Sequence, residues 1–100
     1  MAEGLVLEFA GQGADTYEAV NGLLGLNATD GSGDWPAGLL FHAGGLTDDG
    51  LLVIEVWDSR DSQAAFMESR LGPALYEAGI DGPPSRVTWG SLHGVQNLGL

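Results

Sequence analysis

The sequence predicts an α+β fold: a ferredoxin-like β-α-β-β-α-β chain whose four strands form one antiparallel sheet, with two helices on one face. Three observations predict it. Apolar runs of strand character occur four times in the 100 residues, two of them are separated by a short acidic turn, and stripes of helical spacing follow the first and third runs. A chain of this length builds one small core, so residues 1–100 are read as a single domain.

The first strand is Leu5-Val6-Leu7-Glu8-Phe9, with Leu5, Leu7 and Phe9 on one face, and it stops at Gly11-Gln12-Gly13. Asp15-Thr16-Tyr17-Glu18 then offers an N-cap aspartate and a glutamate three positions on, the reciprocal pair that satisfies free amides where a helix begins. Tyr17, Val20, Leu23 and Leu24 form the buried stripe of that helix, which ends near Gly25. Asn27 to Pro36 holds turn formers and acids apart from Trp35, and is expected to be a long exposed loop.

The runs Gly38 to Gly44 and Leu51 to Trp57 flank Thr47-Asp48-Asp49-Gly50, a turn composition that suits a hairpin. A two-residue loop at Asp48 and Asp49 pairs Thr47 with Gly50 and, counting back, His42 with Glu55 and Leu40 with Trp57. Asp58-Ser59-Arg60-Asp61 caps a second helix whose stripe is Ala64, Met67, Leu71, Leu75 and Ala78. Gly72-Pro73 interrupts it and predicts a kink or two short helices, because proline lacks the amide and clashes with the preceding turn. Arg86 to His93 is the last strand.

The hairpin carries bulky apolar residues on both faces, with Leu39, Phe41, Leu52, Ile54 and Val56 on one parity and Leu40, Val53 and Trp57 on the other. Two helices cover only one face. The second face, assigned here to the parity of Leu40, His42, Glu55 and Trp57, is expected to be covered by a second copy in a symmetric homodimer.

Fourteen acidic residues against three arginines and no lysine give a net charge of -11, which repels phosphate backbones and excludes nucleic acid and anionic membranes as partners. With 44% hydrophobic and 17% charged residues the chain is too apolar for a disordered tail. The absence of cysteine removes disulfides, thiol nucleophiles and cysteine-based zinc sites. The start Met1-Ala2-Glu3-Gly4 has no signal-peptide pattern and no apolar stretch nears the roughly 20 residues of a membrane span, so a cytoplasmic protein is expected.

Four segments carry a resemblance: Gly38-Leu39-Leu40-Phe41-His42-Ala43-Gly44, Thr47-Asp48-Asp49-Gly50, Val56-Trp57-Asp58-Ser59-Arg60 and Leu71-Gly72-Pro73-Ala74-Leu75. The chain resembles the dimeric α/β-barrel superfamily, and within it small proteins related to the antibiotic-biosynthesis monooxygenases. The likeness covers Trp35 to His93 in sequence and the first strand and helix in topology. It implies two four-stranded sheets joined as a barrel across a dimer, with a ligand cavity between sheet and helices. Relatives include cofactor-free oxygenases of aromatic polyketides, polyketide cyclases, lactone isomerases and haem-degrading enzymes, so one fold hosts several chemistries. The monooxygenases resembled carry a tryptophan at the end of the third strand and a histidine about nine residues later. Trp57 matches the first and Phe66 stands at the second.

Two sets of residues carry candidate chemistry. His42 and Glu55, as cross-strand partners, place a carboxylate where it orients an imidazole for acid–base work, or form a satisfied polar contact inside the barrel. His93 closes the last strand, where the resemblance places the acid–base histidine of cyclising relatives, and is expected to share the helix-side cavity with Tyr17, Tyr76 and Trp89; its bland alternative is solvent exposure. A histidine and a tyrosine hydroxyl supply the base and the enolate donor of an aldol-type cyclisation without a cofactor. Phe41, Ile54, Trp57, Phe66, Met67 and Trp89 are expected to line a pocket for a flat apolar ligand, or to be plain core. Asp30-Gly31-Ser32-Gly33-Asp34 begins like a calcium loop, but Phe41 cannot supply the closing glutamate, and Asn27-Ala28-Thr29 is a glycosylation triplet without a secretory route.

Together these predict a small cofactor-independent enzyme acting on an aromatic or polyketide-like molecule by cyclisation, isomerisation or monooxygenation, with no metal. The alternative is a non-catalytic dimeric module that binds a small ligand or has a structural role, stabilising a partner.

Overall fold

Leu5, Leu7 and Phe9 alternate with outward residues along strand β1 (Glu3–Ala10), and their burial against the helices makes it a central strand. The computed structural model describes residues 2–27, 29–96 and 98–99. Met1, at the start of the chain, and Ala28, in the Asn27-Ala28-Thr29 triplet, lie outside the described residues. The other elements are α1 (Ala14–Leu24), β2 (Leu39–Leu46), β3 (Gly50–Trp57), α2 (Arg60–Phe66), α3 (Gly72–Glu77) and β4 (Arg86–Ser91). All pairings are antiparallel in the order β2-β3-β1-β4, the expected α+β ferredoxin-like sheet. Among the described residues no helix is long and apolar enough to cross a membrane.

The core forms where Leu5, Leu7, Phe9, Leu51, Val53 and Trp57 of the sheet meet Val20, Leu24, Phe66, Leu71, Ala74 and Leu75 of the helices. Trp57 is fully buried and Glu55 beside it nearly so, which reverses the expected faces: the parity of His42, Glu55 and Trp57 looks at the helices. Val6, Leu52, Ile54 and Val56 point to the other side. Bulky residues on both parities of β3 hid the choice, and Leu51 and Val53, continuous with the stripe of β1, settled it.

The hairpin register holds from Leu46↔Leu51 through His42↔Glu55 to Phe41↔Val56, as a two-residue turn requires. It fails one step on. A bulge at Leu40 slips the strand, so Leu39 and not Leu40 pairs with Trp57. Leu40 is thereby turned outward, 62% exposed.

Helix α1 starts one residue before Asp15, from Gly13, without a side-chain cap, and ends on Gly25, whose left-handed φ of 73° suits glycine. Its stripe is Tyr17, Val20, Asn21 and Leu24; Leu23 is exposed, because Asn21 occupies the turn facing the sheet. Ser59 caps α2, accepting from the Ser62 N–H. Ala64 is exposed and Phe66 takes its expected place in the core. Pro73 has no N–H for the carbonyl four residues back, and the chain widens into a π-helical turn over Met67–Leu71, with the Gly72 N–H donating to the Met67 carbonyl. Strand β4 ends at Ser91, so His93 lies beyond the sheet and not at its last rung.

The described residues of the loop between α1 and β2 are more tied down than its composition predicts. Leu26 bridges Gly33, Trp35 is half-buried and Pro36 buried. Arg70, on the π-helical turn, donates through Nη2 to the carbonyls of Leu24 (2.9 Å) and Asp34 (2.7 Å), which straps the loop to the helix layer.

Candidate functional site

Three elements converge on His42. Strand β2 presents its ring to the helix side, β3 places Glu55 directly across the ladder, and the first turns of α1 lay Tyr17 over the strand. His42 Nδ1 and Glu55 Oε2 stand 2.9 Å apart, and the Tyr17 hydroxyl lies 2.6 Å from His42 Nε2. The Trp57 indole N–H donates to the second carboxylate oxygen of Glu55 (2.9 Å). With the imidazole proton on Nδ1, both ring nitrogens of His42 have a partner: Nδ1–H donates to Glu55 and Nε2 accepts from Tyr17.

The Tyr17 and His42 rings are nearly parallel, with centroids 5.8 Å apart and planes 7° from each other. The Trp35 indole closes over the imidazole from the loop at 5.2 Å. Burial raises the Tyr17 phenol above its ordinary value and the nearby Glu55 carboxylate adds to the effect, against an opposing hydrogen bond from Asn21. Tyr17 therefore holds its proton and is equipped to donate.

Behind this relay, between sheet and helices, is an apolar cavity of about 50 Å³ whose walls include Leu7, Val20, Val53, Phe66 and Leu71. In front of it, along β2, runs an open groove of about 480 Å³ bounded by Trp35, Leu40, Phe41 and Gly44. Tyr17 and His42 border both spaces.

The structure brings together Tyr17, His42 and Glu55 among the expected catalytic residues. It does not bring in His93, which is exposed past β4, or Tyr76, 76% exposed on α3. Tyr76 sits one residue past the buried Ala74 and Leu75, so its ring leaves the core face of the short helix. Of the expected pocket wall, Phe66 lines the inner cavity and Phe41 the outer groove. Ile54 belongs to the face turned from the helices, 41% exposed, because the parity of β3 is the reverse of that expected. Trp57 is fully buried, its ring 5.8 Å from that of Phe66, so the motif pair of the resemblance is here a packed aromatic pair. Met67 packs at the margin of the core, and Trp89 lies under the Arg60 guanidinium at 5.0 Å, outside the cavity walls.

Sequence reasoning missed Trp35, Asn21 and Gly44. A Cβ on Gly44 would stand 2.5 Å from Cε1 and Cζ of Tyr17, so the bare strand is what lets that ring lie flat. The signal was the Gly44-Gly45 pair inside a strand, which marks a close approach by another group.

No protein-family model and no curated protein sequence matches the chain. Its fold is that of a solved Chloroflexus aurantiacus J-10-fl protein provisionally named an antibiotic biosynthesis monooxygenase, with a TM-score of 0.65 over 99% of this chain and 100% of that one at 17% identity. The overall fold expected from the resemblance is thus found in a solved structure.

Proposed function

We propose that the chain is a cofactor-independent acid–base enzyme that moves a proton on the carbon next to a carbonyl in a small, apolar, aromatic or polyketide-like molecule. The observation that carries the reading is the Glu55–His42–Tyr17 relay, with spacings of 2.9 and 2.6 Å, set at the border of an apolar cavity. As substrate arrives, the Tyr17 hydroxyl exchanges Nε2 for the substrate oxygen, and the freed Nε2 lone pair takes the proton. The C–H bond breaks, the N–H bond forms, and the electron pair passes to an enolate oxygen that Tyr17 stabilises. Glu55, held by Trp57, balances the imidazolium, and return of the proton to another atom of the enolate completes an isomerisation or prepares a cyclisation.

The reading includes a homodimer. Val6, Leu52, Ile54 and Val56 form an apolar sheet face that the helices of the same chain leave uncovered, and a second copy packed sheet to sheet covers it.

The test is exchange of the benzylic C1 protons of 2-tetralone in D2O, followed by proton NMR. The wild-type chain is expected to accelerate exchange and His42→Ala to lose the acceleration. Equal exchange by both chains, or none above buffer, overturns the reading; binding without exchange would make the chain a ligand-binding module.

A further inference from the structure

We infer that the ligand of this site lies in the groove outside β2, between the Trp35 indole and the strand, and that it is an uncharged flat molecule presenting a carbonyl or hydroxyl oxygen. The inference rests on the acid–base reading above. It departs from the placement that the sequence predicted, between sheet and helices.

Volume decides the placement. An apolar cavity that takes a benzene ring measures about 150 Å³, and the space behind the relay is about 50 Å³. The groove, at about 480 Å³, lies within the range of small-molecule sites. It has an aromatic wall in Trp35 and Phe41, an apolar wall in Leu40, and the Tyr17 and His42 side chains at its inner margin. The Leu40 bulge helps to shape it, since it turns that side chain out of the ladder.

Charge decides the class of ligand. The chain has three arginines and no lysine, and each guanidinium is engaged elsewhere: Arg60 on Glu3 at 2.7 Å, Arg70 on the Leu24 and Asp34 carbonyls, and Arg86 beside Glu8 at 3.8 Å. None borders the groove. The Glu55 carboxylate stands behind His42, in a chain of net charge -11. A carboxylate or phosphate entering the groove would shed water against a negative field with no counter-charge, whereas a neutral oxygen needs only the Tyr17 proton.

The experiment is calorimetric titration with 2-naphthol and its anionic counterpart 2-naphthoate at pH 7. The wild-type chain is expected to bind 2-naphthol and to bind 2-naphthoate about tenfold more weakly or worse. Leu40→Arg, which adds a cation at an exposed position of the groove, is expected to bring 2-naphthoate up to the affinity of 2-naphthol. Val53→Ile, which fills only the inner cavity, is expected to leave both affinities unchanged. Equal binding of the two ligands by the wild-type chain overturns the charge assignment. Loss of binding in Val53→Ile, or no gain in Leu40→Arg, overturns the placement. Failure to bind 2-naphthol overturns this inference together with the acid–base reading, whereas binding of 2-naphthol with no exchange of 2-tetralone overturns that reading alone.

Discussion

Gly44 and Tyr17 meet closely enough that the space a side chain would need at position 44 is already taken by the tyrosine ring: a Cβ there would stand 2.5 Å from Cε1 and Cζ and 2.8 Å from the hydroxyl oxygen. Glycine weakens a strand, so its presence in the middle of β2 calls for a compensating contact. The contact is the phenol lying over the strand with its oxygen 2.6 Å from His42 Nε2. Backbone composition in one element thus sets hydrogen-bond geometry in another.

Gly44→Ala is expected to push Tyr17 off His42. Overpacking of this kind costs about 1–3 kcal/mol, and in a domain of this size each kcal/mol lowers Tm by about 4–8 °C. The variant should melt lower by calorimetry, and its exchange of 2-tetralone should fall by about tenfold. An unchanged Tm with unchanged exchange would show that the ring tolerates the methyl group.

Several parts of the site were legible in the sequence because each is governed by a local rule. The His42–Glu55 pairing follows from counting residues back from a two-residue turn, and the rule holds for every rung up to the bulge. The bulge itself has no signature among Gly38, Leu39 and Leu40, any of which could carry the extra residue. The choice of face was not legible either, since β3 is apolar on both sides and only tertiary packing against Phe66 and Leu71 selects the side of Trp57. That error separated Tyr17 from His42. The stripe of α1 pointed Tyr17 to the helix side of the sheet while His42 was assigned to the other, and the reversed parity unites them.

The raised phenol of Tyr17 carries a pH dependence with a definite sign. The folded chain holds that proton more tightly than the unfolded chain, whose phenol titrates near its ordinary value of about 10. The resulting stability is fully present below that value and is lost as pH rises through the higher folded one. Two observations check it: Tyr17→Phe should blunt the alkaline fall in stability, and the ionisation it deletes from the absorbance titration at the phenolate band should have its midpoint above about 10. A midpoint at or below the ordinary value would contradict the burial of the hydroxyl.

Glu55 is 4% exposed and accepts from two donors on opposite sides, Trp57 Nε1 and His42 Nδ1. Glu55→Ala leaves both N–H groups buried without partners, and each costs about 1–3 kcal/mol. Glu55→Gln keeps one carbonyl oxygen and so keeps one of the two bonds. Urea unfolding should therefore place the alanine variant well below the glutamine variant, and the glutamine variant below wild type. The glutamine variant should also lose exchange activity out of proportion to its stability, because a neutral amide cannot balance the imidazolium that forms when His42 takes a proton. Equal stability of all three chains would mean that water replaces the carboxylate at no cost.

The uncovered sheet face sets electrostatics against burial in a way that predicts the effect of salt. Two copies of net charge -11 repel each other, so their association must come from apolar surface such as Val6, Leu52, Ile54 and Val56, and Ile54 is 41% exposed at the middle of that face. Added salt screens the repulsion and leaves the apolar contact intact. Sedimentation equilibrium should give twice the 10.4 kDa of one chain, with the dimer tightening as salt rises, whereas an interface held by ion pairs would loosen. Ile54→Glu places a charge at the centre of each face and should yield single chains at every salt concentration, with the His42–Glu55 pair on the opposite face intact. A wild-type chain that sediments at 10.4 kDa in high salt would mean that a second copy is not what covers the face.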